Sequence, residues 1–589
     1  MIVLIASLLA ALGAGVLGAR FAEGSAGVLY EAAGPITTYG IPTASVIAST
    51  AMAVTMGGSI LAGWILPASA RPEAAAELTA ARRRVLTIIT GAAVVWTLVG
   101  IAQFLMSYSL AAGQAVGSDR FGSDMAVFAS SSLGIWRIAA LILTAAASTI
   151  AVSGTSRRTA RAASVAVFGA VLCAAMTSHA AGGATHDAAT SAMLFHLVAM
   201  AAWLGPLALL MLLRIQSAQL RAQIIERFSA TALVAWLMMA VSGLVSLGLR
   251  LDSIDQLWTQ PYAILGLGKI VALVLVGILG WGQRRLIAQR RGGFADLAAV
   301  EAVIGMAALG LGAAMSSSPP PVADVVVAPG PAGQLTGFAL PPGTLSGALT
   351  VWRPDVFAIL LASLLIGVWQ WARLPHARAV TVILAGYALL QSSPIAVYGR
   401  IMMSMHLLRL LLLVAAVGLP IGLLLWKRLR AAPAGGPLAR VADEFSRRGV
   451  RWAASLSPVL LLAGVLHTPA LLHVELSTTI GALTLSLMVI AAGALWGVAI
   501  GAGGPQCVLV GAAGLGVWLG LLGASQSVLA PSWFGATGRT YAADALQDQS
   551  SAALLLAAVA ALMVILSGVQ MVRTRRAPGP VRAAAAHDA

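Results

Sequence analysis

Sixteen runs of mostly apolar residues recur along this chain, each long enough to cross a bilayer as a helix of roughly 20 residues. They fall near 2–22, 43–66, 85–110, 133–153, 162–180, 189–213, 228–249, 262–282, 297–317, 354–372, 377–397, 401–426, 453–474, 478–501, 506–528 and 551–572. The runs are continuous rather than alternating, so they read as helices and not as barrel strands. In lipid, each segment must satisfy its backbone groups internally. Of the 589 residues 59% are apolar and 10% are charged, against about a quarter charged in soluble chains. That excludes a water-soluble enzyme, a disordered chain and a nucleic-acid binder. Two cysteines and no CxxC pair exclude a disulfide scaffold and thiol redox work. The expected fold is all-α, a polytopic transmembrane helix bundle.

The formal charge of +16 is a matter of topology. Of the 36 basic residues, 27 fall after even-numbered spans or in the C-terminal tail, including Arg82, Arg83 and Arg84, Arg157, Arg158 and Arg161, and Lys427 and Arg428. Basic residues mark the cytoplasmic side, so one alternation fits the whole chain and places both termini in the cytoplasm. Residues 2–22 lack a basic stretch before them and read as an uncleaved helix, with a signal peptide as the alternative. Residues 318–350, rich in Pro and Gly, read as an extended extracytoplasmic linker. It divides N-terminal spans (1–317) from a second group (351–572), and 573–589 form a cytoplasmic tail that is expected to be disordered.

Ionisable groups inside spans are expensive and are functional candidates by default. Of eight histidines, His179, His186, His196, His406, His467 and His473 lie on the extracytoplasmic side or in the outer half of the membrane. Span 5 ends with Cys173, Met176 and His179, and the short outer loop carries His186 and Asp187. Span 6 then places Met193, His196, Met200 and Trp203 on one helical face. His196 lies roughly 10–15 Å below His186 at 1.5 Å per residue. Thioether, thiol and imidazole together suit a soft cation, above all Cu(I). Methionine is also a common apolar filler, and a lone intramembrane imidazole can simply bond to a neighbouring helix. In the second half, Met402 and Met403 precede His406 by one turn, and Pro469 can break the helix so that His467 and His473 converge. Two basic residues fall within spans. Lys269 either snorkels outward or pairs with Asp252 or Asp255, and Arg409 is the other.

Residues 179–206 carry His-Ala-Ala-Gly-Gly-Ala-Thr-His and then His196 through Trp203-Leu-Gly205. Further on come Arg227-Phe228-Ser229-Ala230, Ser242-Gly243, Gln260-Pro261-Tyr262 and Lys269. This pattern resembles the copper-resistance CopD family, inner-membrane proteins tied to copper uptake or tolerance. Ala263 stands where that family usually has Gly. Trp352-Arg353-Pro354-Asp355, Ser393-Pro394, Tyr398, Ser404-Met405-His406 and Asp548-Gln549 resemble the CtaG-type assembly factors of haem-copper oxidases. The fused order is similar to bifunctional membrane proteins of actinobacteria. Leu410 occupies the second position of that family's His-Met-x-x-His pair, and Ser477, Thr478 and Thr479 stand where a later histidine pair is expected.

The resemblance implies copper handling at the cytoplasmic membrane, with Cu(I) captured by His179, His186 and Asp187 and relayed by His196, Met193 and Met200. The alternative to that inward path is movement sideways toward His406 for delivery to a haem-copper oxidase, with oxidase subunits or an extracytoplasmic copper chaperone as partners. No ATP-binding motif is present, and no enzymatic activity is expected. Two alternatives stand: a membrane scaffold for oxidase assembly that touches no metal, and a haem-binding electron carrier using His179 and His196.

Overall fold

The computed structural model describes residues 2–22, 28–69, 71–177, 186–251, 253–289, 294–316, 318, 321, 333, 335–336, 338–371, 374–535 and 544–576. Among them there is no β-strand. Fourteen helices are long and apolar enough to cross a membrane, and two shorter apolar helices lie at the tenth and eleventh expected spans. The chain divides into two compact units, Met1–Val326 and Val327–Ala589. His179, Asp252 and residues 577–589 lie outside the described residues, as does most of 318–337.

Among the described residues, the first unit has nine long helices: α1 (Ile2–Ala22), α2 (Val28–Ile60), α3 (Pro72–Ala112), α4 (Ser132–Val152), α5 (Arg157–Met176), α6 (His186–Leu212), α7 (Ala218–Gly248), α8 (Pro261–Ala288) and α9 (Phe294–Met315). Their outward faces keep large apolar side chains such as Leu98, Ile142, Leu244 and Ile278 exposed, as lipid-facing surfaces require. α2 and α6 are the most buried spans. They cross where Gly57 meets Gly205. A Cβ on Gly205 would lie 2.0 Å from the Ala53 carbonyl oxygen. Small residues at such crossings let helix backbones close on each other, which supplies the packing that lipid cannot drive.

The arginines expected in the loop after span 2 are helical instead. α3 runs 41 residues from Pro72, taking in Arg82, Arg83 and Arg84, and α7 likewise takes in Arg221 and Arg227. Good helix formers around these arginines let the helices project past the hydrocarbon layer.

In the second unit, α10 (Val356–Trp371) and α11 (Ala377–Ser392) have 16 residues each. At 1.5 Å per residue that is about 24 Å, short of a hydrocarbon core of about 30 Å. The expected span 377–397 is interrupted because Ser393 precedes a proline and turns extended, at φ −77° and ψ 164°. Pro394–Gly399 then forms a separate short helix. Next come α12 (Met403–Arg430), α13 (Arg448–Leu466), α14 (Pro469–Ser477), α15 (Thr479–Gly503), α16 (Pro505–Gly523) and α17 (Ala545–Arg576). The core gathers Met403, Leu407, Leu410, Leu462, Leu472, Trp496, Leu519 and Trp533. α12 changes to π geometry over Leu413–Gly418, beside its close crossing with α15, where a Cβ on Gly422 would sit 2.0 Å from the Ala494 carbonyl oxygen.

Candidate functional site

In the first unit, α6 carries a vertical series of polar and soft groups into the bundle. Its backbone begins at His186, whose side chain, with that of Asp187, lies outside the described residues. Met193 and His196 are half-buried, and Met200 and Trp203 are buried. The His196 Nδ1 faces the Ser242 hydroxyl of α7 at 3.3 Å, and that hydroxyl also donates to the Met238 carbonyl at 2.6 Å. The imidazole lies against Gly243, where a Cβ would come within 3.3 Å of its Cε1. The absent side chain is what admits the ring between α6 and α7.

Lys269 of α8 reaches α9, where a Cβ on Gly312 would lie 3.3 Å from its Nζ. Its ammonium is within electrostatic reach of the His196 ring. Among the described residues no carboxylate pairs with Lys269. Of the two expected partners, Asp255 is exposed. Tyr262 begins the same helix and is half-buried.

Seven residues further along α6, the Trp203 indole N–H donates to Glu301 Oε1 at 2.7 Å. The Gln283 amide donates to the other carboxylate oxygen. Glu301 is 3% exposed. Sequence reasoning passed over this acid, although a carboxylate inside an apolar run carries the same signal that singled out Lys269. Trp203 shares a helical face with His196, and α9 supplies its partner.

The second unit holds a buried charge cluster. His406 and Arg409 lie on one face of α12 and are 1% and 9% exposed. Glu475 enters from α14. Its Oε1 accepts from the Arg409 guanidinium at 2.9 Å, and its Oε2 lies 3.6 Å from His406 Nε2. That last separation is too long for a hydrogen bond, and both atoms are buried without another partner. The Phe534 ring lies 5.9 Å from the imidazole. An in-span arginine calls for an acid, and Glu475 is the acid nearest to it across the Pro469 break. In the sequence 66 residues separate the two, so only the packing of α14 against α12 pairs them.

His467 and His473 are both exposed. The helix does break before Pro469, but α14 turns Glu475 inward and leaves the two histidines outside. Met402 is half-buried next to buried Met403. Asp548 accepts from the Ser404 backbone N–H at 3.2 Å, and Gln549 bonds the Leu529 N–H and the Ser527 carbonyl. The Tyr398 hydroxyl donates to the Pro342 carbonyl at 2.6 Å. These motif residues fasten the ends of helices to one another and to connecting segments. Among the described residues, no group of three or more His, Cys, Asp or Glu side chains is arranged to hold a metal, and Cys173 and Cys507 are free and buried.

Fold and site together define a multi-pass membrane helix bundle with polar and ionisable groups buried between its spans. Residues 222–315 match the family model of CopD, copper resistance protein D. The matched segment takes in most of α7 and all of α8 and α9. It thus supplies the neighbours of His196 (Ser242, Gly243 and Lys269), the Trp203 acceptor Glu301, and Gln283, which donates to that same acid. No curated protein and no solved structure matches the chain.

Proposed function

We propose that this protein handles copper as cargo at the cytoplasmic membrane, taking up or relaying Cu(I) through the first unit without catalysing a reaction. One observation carries the reading. The segment similar to CopD, residues 222–315, does not include His196 but supplies Ser242, Gly243 and Lys269 beside it, so the copper-family match adjoins the strongest ligand candidate. The donor chemistry fits a soft monovalent ion: an imidazole with Met193 and Met200 on the same helix face. Such a sparse set suits transit better than storage. The ammonium of Lys269 near the ring opposes long residence of a cation.

Capture at His179, His186 and Asp187 belongs to this proposal. So does onward supply to a haem-copper oxidase through the second unit, in keeping with its resemblance to CtaG-type factors. There the free His406 Nε2 and Glu475 Oε2 are the atoms with coordination capacity left. A second reading has its own support: Glu475 is already bonded to Arg409, which suits a structural lock in a scaffold that assembles oxidase without touching metal.

His196→Ala is expected to lower Cu(I) affinity of the purified chain by at least roughly tenfold, by analogy with the loss of supporting groups at metal sites. Cellular copper accumulation should fall in parallel. Metal analysis at matched protein levels makes the comparison, and unchanged copper in both His196→Ala and His179→Ala would refute the relay. His406→Ala separates the two readings of the second unit, since only delivery requires oxidase copper content to fall.

A further inference from the structure

At the arginine-rich end of the first unit, α2 does not finish as an ordinary helix. Its last turn, Leu61–Ile65, widens into π geometry and closes with the Leu66 N–H on the Leu61 carbonyl at 2.9 Å. The carbonyls that follow are left for side chains to satisfy. Four arginines from three other helices turn onto them. Arg82 Nε of α3 donates to the Ala62 carbonyl at 3.1 Å. Arg161 Nε and an Arg157 terminal nitrogen, both of α5, donate to the Gly63 carbonyl at 3.1 and 3.5 Å. Arg227 of α7 donates to the Ile65 carbonyl at 3.5 Å. Arg161 also lies over the Trp64 ring, 4.3 Å from its centroid.

A general excess of basic residues on one membrane side explains why arginines are here. It does not explain why four converge on one helix end, with Arg82 only 7% exposed. Arg157 stands at the centre, within Coulombic reach of Arg82, Arg161 and Arg227. A helix C-terminus supplies about half a negative charge, far less than four guanidiniums carry. Among the described residues none of the four forms an ion pair. Nearby Glu77 accepts instead from the Gln216 and Ser217 backbone N–H groups, and Glu226 is exposed. Each guanidinium has five N–H donors, and the carbonyl bonds use one apiece. Arg157 Nε is buried without any partner.

We propose that this cluster is a binding site for a phosphate group, presented by the headgroup of an anionic phospholipid or by free inorganic phosphate. Forked guanidiniums match phosphate oxygens in pairs, and basic pockets between spans on this side suit lipid headgroups. Binding would tie α2, α3, α5 and α7 together at the end of the bundle opposite His196. The proposal is independent of the copper reading, since it uses neither the copper ligands nor transport.

The test uses the full chain in nanodiscs of phosphatidylcholine, with phosphatidylglycerol or with inorganic phosphate added in separate arms. Thermal unfolding is followed as a function of ligand. The wild-type chain is expected to be stabilised by one of the two, and the arm that responds identifies the source. Arg157→Gln and Arg161→Gln should shift the half-saturating amount upward by roughly tenfold or more, as loss of a charge-assisted fork implies. Arg157→Lys keeps the charge without the fork and should also weaken the response, so it serves if the glutamine variants fold poorly. Arg83→Gln and Arg84→Gln remove exposed arginines that do not reach the π turn and should leave the response intact. The site is disproved if neither ligand stabilises the wild type, or if all variants respond alike.

Discussion

Glu301 shows what a single buried acid requires in this bundle. Both of its oxygens accept bonds, from Trp203 and Gln283, and α6, α8 and α9 meet there. Removing the indole donor leaves a buried acceptor unsatisfied, at a cost of about 1–3 kcal/mol. Trp203→Phe should therefore lower the unfolding temperature in detergent. Paired with Glu301→Gln, the two losses should sum to less than their separate effects, because they break one network. A strictly additive pair would show that the carboxylate and indole do not act together. His196 was legible in the sequence as an intramembrane imidazole. Its pairing with Ser242 was not: Ser242 stands in the motif similar to CopD, but 46 residues separate the two and a serine in a span has no charge to point to a partner.

Among the elements, helix existence and type were plain from apolar runs. Their ends and breaks were not. α3 and α7 begin well before their apolar stretches, since a helix continues wherever its residues tolerate it and water can solvate its surface. Both π turns, at Leu61–Ile65 and Leu413–Gly418, lie in runs with no distinguishing composition, because the extra residue per turn is absorbed by packing and carbonyl partners. The crossing of α2 and α6 is the most testable contact of this kind. Gly205→Leu would push a side chain into the Ala53 carbonyl. Overpacking costs about 1–3 kcal/mol where side chains can yield, and backbone cannot. Loss of monodisperse protein on size-exclusion chromatography is expected, and a well-behaved Gly205→Leu chain would show that the crossing can open.

At the scale of the whole molecule, the distribution of arginines predicts an orientation that labelling can check. Cys173 and Cys507 are buried, so introduced thiols report cleanly. Ser118→Cys, exposed between α3 and α4, should react with a membrane-impermeant reagent applied outside, and Ala434→Cys, exposed between α12 and α13, should not. The reverse pattern would invert the topology and place the arginine cluster and His196 on the wrong sides. Sequence by itself determined that the chain is an all-helical, multi-pass membrane protein, and it marked the imidazoles within its spans as candidates. Transfer of apolar groups out of water and the charge of arginine act on each residue separately, so composition and spacing suffice to read them. Only the tertiary structure decided which groups meet. Ser242 beside His196, Glu301 held by Trp203 and Gln283, Glu475 between Arg409 and His406, and four arginines on one helix end all depend on how helices far apart in the chain pack, where close backbone approach and the need to satisfy buried polar atoms select one arrangement.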